Sequence, residues 1–183
     1  MNTRSPAISV RNMVFTALFA AVLCAVAPFS LPIGPIPLSF ATLVIYLAAG
    51  SLDWRYGTLA VLLYVMLGAV GVPVFSNFEG GFHKVAGVTG GFIIGYIPCA
   101  IATGAIGSLF GHRVWAYAVG MVTGTFLLYA CGTVWFMLQT GSPLVLALAL
   151  CVTPFLPGDA IKIIFACFAV PQLRRALSRI SRG

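Results

Sequence analysis

Long apolar segments with few charges between them are the feature that most restricts how this chain can fold. Of its 183 residues, 61% are hydrophobic and only 7% are charged, whereas a soluble domain carries about 25% charged residues. This composition excludes a soluble globular protein, and its apolar content excludes a disordered one. A net charge of +7 is compatible with nucleic-acid binding, but ten basic and three acidic residues are too few to cover a solvated surface. The sequence therefore predicts a polytopic membrane protein that binds no nucleic acid.

The spacing of the apolar runs predicts an all-α fold with six transmembrane helices in a single membrane domain, residues 1–183. A helix needs about 20 residues to cross the hydrocarbon core. The apolar runs cover residues 12–29, 38–52, 57–72, 86–110, 114–138 and 143–170. The last run contains Pro154 and Pro157, and a proline inside a helix costs about 3 kcal/mol. We therefore expect a short helix over 143–153, an irregular turn, and a spanning helix with Asp159 at its N-terminus that ends near 179.

The distribution of basic residues predicts the orientation of these helices. With the N-terminus inside and alternating crossings, Lys84 is the one basic residue on the outer side and Lys162 lies within a helix. Eight arginines then fall on the inner side: Arg4, Arg11, Arg55, Arg113, Arg174, Arg175, Arg179 and Arg182. Because basic residues favour the cytoplasmic side of a membrane, we expect both termini to be cytoplasmic.

Two predicted outer loops, 28–37 and 71–84, are rich in glycine and proline and carry almost no charge. Such loops are typical of ordered lids against the membrane surface rather than of flexible connectors. The inner loops near 53–56 and 110–113 are too tight to form a pocket. Each outer loop taken alone is explained as a turn between helices, but their composition on one side only favours a binding face there.

Asp159 and Lys162 are the strongest functional candidates because they are ionisable residues in an otherwise apolar region. An unpaired charge at the bilayer centre costs about 2.5–3.5 kcal/mol on insertion scales. Residues at i and i+3 share one helix face, so the two side chains can neutralise each other as a structural ion pair or bind one ligand together. The other acidic residues, Asp53 and Glu79, are far away in the sequence, and the five cysteines lie singly. Neither a metal site nor a membrane enzyme is therefore indicated.

Small residues mark two helix faces. Gly91 and Gly95 form a GxxxG pair, which allows helices to approach closely; alternatively, glycines at the start of the fourth helix can expose backbone N–H groups to a ligand. In the first helix, alanines recur every fourth position on one face: Ala17, Ala21 and Ala25. Such a flat face fits another helix, either in this chain or in a second protein.

Several short motifs, in this order and spacing, resemble one family over most of the chain. They are 35–37, 63–64, 68–75, 80–81, 87–92, 95–96 and 156–159, the last followed by Lys162. The chain resembles the biotin-specific substrate-capture (S) component of energy-coupling-factor transporters, the BioY family. Two positions depart from the pattern of that family, which usually has proline where Val88 stands and an aromatic residue that is often tyrosine at Phe92.

The resemblance implies a protein of the bacterial cytoplasmic membrane that captures biotin from outside and is not an enzyme. It implies two kinds of partner, a membrane T component and a pair of cytoplasmic ATPases, with Ala17, Ala21 and Ala25 facing the T component. The chain has no GxxxxGK[ST] motif for phosphate binding, so ATP hydrolysis falls to the partners and no cofactor is expected. Two alternatives stay open: an S component for another small vitamin, and a non-catalytic membrane assembly subunit.

The resemblance and the chemistry of biotin together suggest roles for individual residues. Asp159 is expected to accept from the ureido N–H groups and Lys162 to donate to the ureido oxygen, although the opposite arrangement, with Lys162 on the carboxylate, is equally compatible. The full set of predicted substrate-binding residues is Asp159, Lys162, Asn77, Phe75, Gly80, Gly81, Thr89, Gly90, Gly91, Phe92, Tyr96 and Lys84. Within it, the aromatic side chains flank the apolar parts of the ligand, while Asn77, the glycine backbone and Lys84 hold its carboxylate.

Overall fold

Helices account for the apolar runs, as the sequence predicts. The structure is a computed structural model that describes residues 10–33 and 36–180. The helices in these residues are α1 (Val10–Val26), α2 (Ala41–Ser51), α3 (Trp54–Val70), α4 (Phe82–Ala86), α5 (Gly90–Leu109), α6 (Val114–Thr140), α7 (Leu144–Cys151) and α8 (Leu156–Ile180). Strands β1 (Ser30–Ile33) and β2 (Ile36–Ser39) form an antiparallel hairpin between α1 and α2.

Among the helices of the described residues, three are long and apolar enough to cross a membrane by themselves, namely α5, α6 and α8. Helices α1, α2 and α3 are also apolar but shorter, at 17, 11 and 17 residues. At 1.5 Å per residue, an 11-residue helix is roughly 17 Å long, which is less than the hydrocarbon thickness of about 30 Å. The prediction of an all-α, multi-pass membrane protein is confirmed, while the count of six spans and the orientation of the termini stay predictions.

Residues 30–33 and 36–39, in and beside the predicted outer loop of residues 28–37, form the hairpin, a short element that the sequence does not predict. Its register pairs Ser30 with Ser39 and Pro32 with Pro37. Proline has a fixed φ near −65° and no N–H group, so it is excluded from a helix interior but tolerated in a two-stranded ribbon, where every strand is an edge. The loop is therefore a defined structural element at one end of the bundle, which we call the hairpin end.

Helix α8 begins three residues earlier than the sequence predicts. Helix α7 ends at Cys151 and α8 begins at Leu156, so Pro157 occupies the first turn of α8. A proline is tolerated there because the N–H groups of the first turn have no partner within the helix. Asp159 is consequently not the N-cap: its backbone N–H already donates to the Phe155 carbonyl at 2.9 Å, and its side chain is free to face the interior.

The opposite end of α8 is fixed by a histidine in the turn between α5 and α6. The Nδ1 atom of His112 lies 2.9 Å from the Tyr117 hydroxyl oxygen, and Arg174 of α8 donates to Nε2 at 2.8 Å. Since Nε2 accepts this hydrogen bond, we assign the ring proton to Nδ1. Burial and the positive charge of Arg174 lower the pKa of His112. These contacts anchor α8 to the α5–α6 turn and so help to set the position of the whole helix.

Helices α5 and α6 pack with almost direct backbone contact through glycines. A Cβ atom added to Gly91 would lie 2.7 Å from the Cys131 carbonyl oxygen, and one added to Gly124 would lie 2.8 Å from that of Cys99. Real Cβ atoms do not approach other atoms so closely. Small residues are therefore required along this interface, as is common where helices associate in membranes.

Replacing Gly91 by alanine should destabilise the fold by about 1–3 kcal/mol because a methyl group overpacks the α5–α6 interface. The matched control is Gly158→Ala in the first turn of α8, where the nearest atom to an added Cβ is a Leu38 methyl group at 3.6 Å. This control should unfold at the wild-type temperature or above it, since alanine favours helix by up to about 1 kcal/mol over glycine. Thermal unfolding of the detergent-solubilised variants measures both effects, and equal melting temperatures would contradict the packing argument.

Candidate ligand-binding site

The site is built around an ion pair in the first two turns of α8. The Nζ atom of Lys162 lies 2.9 Å from Oδ1 of Asp159. Both residues are buried, with exposed fractions of 7% and 4%. The expectation that the i, i+3 spacing places the two charges on one face is therefore confirmed. Each charge compensates the other in a region where an isolated charge would be costly.

Lys162 uses all three of its N–H groups within the protein. Besides the bond to Asp159, Nζ donates to the Ser39 carbonyl oxygen at 2.8 Å and to Oγ1 of Thr42 at 3.0 Å. The Thr42 hydroxyl in turn donates to Oδ1 of Asp159 at 3.3 Å. The lysine thus joins the end of β2 and the start of α2 to α8.

Asp159 has a further partner on α6. The Tyr129 hydroxyl donates to Oδ2 at 2.6 Å, so both carboxylate oxygens accept hydrogen bonds. Ser39, Thr42 and Tyr129 are not among the residues predicted from the sequence. Thr42 and Tyr129 are polar groups inside apolar helices, a signal that a census of such residues would have found, whereas Ser39 contributes a main-chain carbonyl that carries no sequence signal.

Ser39 is held in place by its own side chain. Its hydroxyl donates to the Ala27 carbonyl and accepts from the Ala41 N–H, each at 3.0 Å. These two bonds tie the end of the hairpin to the end of α1 and to the first turn of α2. The Ser39 carbonyl is consequently left to accept from Lys162.

A small cavity of about 50 Å³ lies beside the ion pair. Aromatic and aliphatic side chains form most of its wall, and the other lining residues are polar or charged. The lining residues are Ile36, Pro37, Leu38, Ser39, Thr42, Tyr64, Phe75, Ser76, Lys84, Thr89, Phe92, Ile93, Tyr96, Leu128, Tyr129, Phe155, Asp159 and Lys162. Since pockets for drug-sized ligands measure about 300–1,000 Å³, the cavity must widen to hold a ligand of that size, and we call its present narrow arrangement the closed state.

The structure brings seven of the twelve predicted substrate-binding residues together at this cavity. Besides the ion pair, they are Phe75, Lys84, Thr89, Phe92 and Tyr96. Tyr64 extends the aromatic wall: its ring centre lies 5.6 Å from that of Phe75 in an edge-to-face contact and 6.3 Å from that of Tyr96. Edge-to-face pairs of this kind stabilise a preformed apolar surface.

Asn77 lies outside the cavity lining, on the exposed turn Ser76–Phe78. Its backbone N–H donates to the Pro28 carbonyl at 3.0 Å, and its side-chain oxygen accepts from the Ser30 hydroxyl at 3.0 Å. Its φ of 63° lies in the left-handed region, which asparagine tolerates better than most residues. In the closed state Asn77 therefore connects the two loops at the hairpin end.

The other four predicted residues are glycines that also lie outside the cavity lining. A Cβ atom at Gly80 would collide with the Val72 carbonyl, and one at Gly90 with the Val85 carbonyl. Gly81 has a φ of +100°, and its N–H donates to the Gly68 carbonyl at 2.6 Å. Like Gly91, these positions require glycine for close packing or backbone conformation. The Gly90 N–H already donates to the Gly87 carbonyl oxygen.

Lys84 is not a free charge in the closed state. Its Nζ atom forms an ion pair at 2.6 Å with Oε2 of Glu79, a residue that the sequence analysis noted only as a distant acid. The lysine side chain is 18% exposed and the glutamate side chain 42%. The second cation at the cavity therefore also has a counter-ion within the chain.

The small-residue face of α1 remains uncovered. Ala17, Ala21 and Ala25 are all exposed, whereas Thr16, Ala20 and Leu23 on the other face are buried. Of the two partners considered from the sequence, a helix of this chain does not cover the alanines in the described part of the structure. The face is thus available to another protein or to lipid.

Metal chemistry receives no support from this geometry. Within residues 10–33 and 36–180, no group of three or more His, Cys, Asp or Glu side chains is arranged to hold a metal ion. The polar groups at the cavity are instead hydrogen-bond donors and acceptors around a compensated charge pair.

The fold is that of a multi-pass membrane protein. Its helices surround an aromatic cavity with a buried charge pair in its lining. The model of the BioY family matches residues 1–179. The chain therefore belongs to the BioY family, and the resemblance drawn from the motifs is confirmed.

Relatives and a solved structure agree with this assignment. The biotin transporter BioY of Thermotoga maritima is 34% identical over 166 residues, which make up 90% of this chain and 96% of that protein. The biotin transporter BioY of Rhizobium etli is 34% identical over 169 residues, 86% of this chain and 90% of that protein. The crystal structure of the S-component for biotin from an ECF-type ABC transporter has the same fold, with a TM-score of 0.85 and 24% identity over 93% of this chain and 94% of that one. These proteins are transporters rather than enzymes.

Asp159 and Lys162 should stabilise the fold only when both charges are present. Asp159→Leu or Lys162→Met alone leaves one buried charge uncompensated and should destabilise the protein by about 3–5 kcal/mol. The double variant removes both charges, so its loss should be clearly smaller than the sum of the two single losses. A thermal unfolding cycle in detergent measures this coupling, and strictly additive losses would show that the two side chains do not act together.

Proposed function

We propose that this chain captures biotin at the outer face of the bacterial cytoplasmic membrane as the substrate-specific subunit of an energy-coupling-factor transporter. The observation that carries the proposal is the buried Asp159–Lys162 pair at the end of an aromatic cavity. Membership of the BioY family and the names of the relatives support biotin as the substrate.

The chemistry of the site is complementary to biotin. The vitamin carries a ureido ring with two N–H donors and one carbonyl acceptor, an apolar thioether ring and tail, and a carboxylate. Asp159 accepts from the ureido N–H groups, and Lys162 donates to the ureido oxygen after exchanging one of its present partners. Thr42 and Tyr129 supply further hydroxyl groups at this end of the cavity. No polar group of the ring is then left unpaired on burial.

The rest of the cavity matches the rest of the ligand. Phe75, Phe92 and Tyr96 pack against the thioether ring and tail, and Lys84, with Thr89 nearby, receives the carboxylate. Asn77, Gly80 and Gly81 shape the loop that closes over it, and Gly90 and Gly91 place the start of α5 beside it. The hairpin and the loop of residues 71–89 must separate to admit the ligand, because the closed cavity is too small for it.

The proposed transporter needs partners that this chain does not supply. We assign the exposed face of Ala17, Ala21 and Ala25 to a membrane T component, and ATP hydrolysis to two cytoplasmic ATPases. In this arrangement the chain is a single membrane domain, residues 1–183, with six crossings and both termini in the cytoplasm. The eight predicted inner arginines then lie where anionic lipid head groups are found.

Purified protein in detergent should bind radiolabelled biotin, and thiamine and riboflavin should not compete. Asp159→Asn and Lys162→Ala should each weaken biotin binding by about 10–100-fold, because each leaves a ligand group or a protein group unpaired in the closed site. Arg179→Gln, at the far end of α8, is the matched control for loss of a charge and should bind like the wild type.

The outcomes separate the alternatives. Unchanged biotin affinity in both site variants, with size-exclusion profiles like the wild type, would remove the assignment of the ion pair. Binding of thiamine or riboflavin in place of biotin would indicate an S component for another vitamin. A folded chain that binds none of the three would favour an assembly subunit.

A bulky residue on the alanine face should separate assembly from ligand capture. Ala21→Trp should abolish co-purification with the T component, since the flat surface needed for close helix contact is lost, while biotin binding by the isolated chain is retained. Val122→Trp places the same bulk on an exposed position of α6 and should leave assembly intact. Normal assembly of the Ala21→Trp variant would contradict the assigned interface.

A further inference from the structure

Lys84 contacts two different environments at the hairpin end. Its side chain lines the cavity, and its Nζ atom is paired at 2.6 Å with Glu79, which is not among the cavity-lining residues. Glu79 is more than twice as exposed as Lys84, 42% against 18%. The lysine therefore lies between an interior that can receive a guest and a carboxylate that is already partly in water.

The other charged residues at the cavity bind an anion less favourably than Lys84 does. Asp159 would repel it, and all three N–H groups of Lys162 are used by Asp159, Thr42 and Ser39. A carboxylate buried without a cation is strongly unfavourable. Among the charged groups that line the described cavity, Lys84 is thus the one that an anionic guest can reach by displacing a partly solvated partner.

Replacement of Glu79 by a ligand carboxylate as the partner of Lys84 is favourable. When Glu79 releases the lysine, its carboxylate returns to water and regains solvation, so the loss of a partly exposed ion pair costs little. A guest carboxylate enclosed in the cavity has no such alternative and gains a charge-assisted hydrogen bond. Lys84 therefore favours a guest that carries a negative charge, and Glu79 reduces this preference by competing for the lysine.

The position of Glu79 also connects this exchange to the loops that cover the cavity. The Phe75 N–H donates to the Glu79 carbonyl at 2.9 Å, which closes the turn at residues 76–78. Asn77 and Phe78 in this turn both have positive φ, 63° and 58°, and the Phe78 ring packs edge-to-face on Phe29 at 5.3 Å. The ion pair thus helps to hold a turn that is in contact with the segment leading into β1.

We propose that Glu79 is a specificity-determining residue that pairs with Lys84 in the closed state and is displaced by the carboxylate of the ligand. The inference rests on the proposed capture of biotin and adds to it a competing acid within the protein. A neutral analogue leaves the Glu79–Lys84 pair in place and gains nothing from it. Glu79 thereby sets how strongly the site prefers an acid over the corresponding neutral compound.

The test compares biotin with biotinamide, which replaces the carboxylate by a neutral amide. Equilibrium competition against radiolabelled biotin gives both affinities for each purified variant in detergent. Wild-type protein should prefer biotin by about tenfold, the effect of one charge-assisted hydrogen bond. Glu79→Gln should raise the affinity for biotin several-fold and widen the preference, because the competitor is removed.

Lys84 variants supply the complementary measurements. Lys84→Met should reduce the ratio of the two affinities to about one, whereas Lys84→Arg, which keeps the charge, should retain a preference for biotin. The inference is overturned if Glu79→Gln weakens biotin binding, or if the ratio in Lys84→Met equals that of the wild type. If wild-type protein binds neither compound, biotin capture itself fails; if it binds both equally, capture stands and the role of Glu79 is refuted.

Discussion

The contact on which the site depends is the bond between Lys162 and its three partners. Through Nζ, one helix of the bundle is connected to the Ser39 carbonyl at the end of the hairpin, to Thr42 at the start of α2, and to Asp159. Tyr129 brings α6 to the other side of the same carboxylate. Since a buried charge without a partner is strongly unfavourable, these groups cannot separate independently. The ion pair is therefore both a structural junction of α2, α6 and α8 and the most polar point of the cavity, and the two roles considered from the sequence do not exclude each other.

Much of this arrangement could be predicted from the sequence because membrane proteins leave few choices for apolar runs and charges. The helices follow from hydrophobic length, and the pairing of Asp159 with Lys162 follows from their i, i+3 spacing. The start of α8 was misplaced because Pro157 was treated only as a helix breaker, although the first turn of a helix tolerates proline. The hairpin was missed because a proline-rich strand of four residues carries no clear alternation of apolar and polar side chains.

The missed members of the site share a different cause. Tyr129 lies 30 residues from Asp159, Thr42 lies 117 residues away, and Ser39 acts through its backbone. Such contacts depend on which helix faces pack together. The hydrophobic periodicity of the sequence indicates which face of a helix is buried, but not which other helix packs against it. The glycines show that a conspicuous motif does not by itself reveal its role. Their motifs were conspicuous and were assigned to the ligand, but in the closed state Gly80, Gly90 and Gly91 are required by neighbouring backbone and side-chain atoms.

Charge compensation within the chain stabilises the closed arrangement of the cavity. Both cations in the described cavity lining have counter-ions from the protein, Lys162 with Asp159 and Lys84 with Glu79. Under the proposed function, a ligand must replace a protein group that is bonded to Lys162, to Lys84 or to both, because the site is not a preformed open pocket. The groups that it can displace include the Glu79 carboxylate, next to the turn that contacts the segment before the hairpin, and the partners of Lys162, one of which is the Ser39 carbonyl in the hairpin. Ligand recognition and movement of the covering loops therefore involve the same hydrogen bonds, and a compound that cannot replace those bonds cannot stabilise the open cavity.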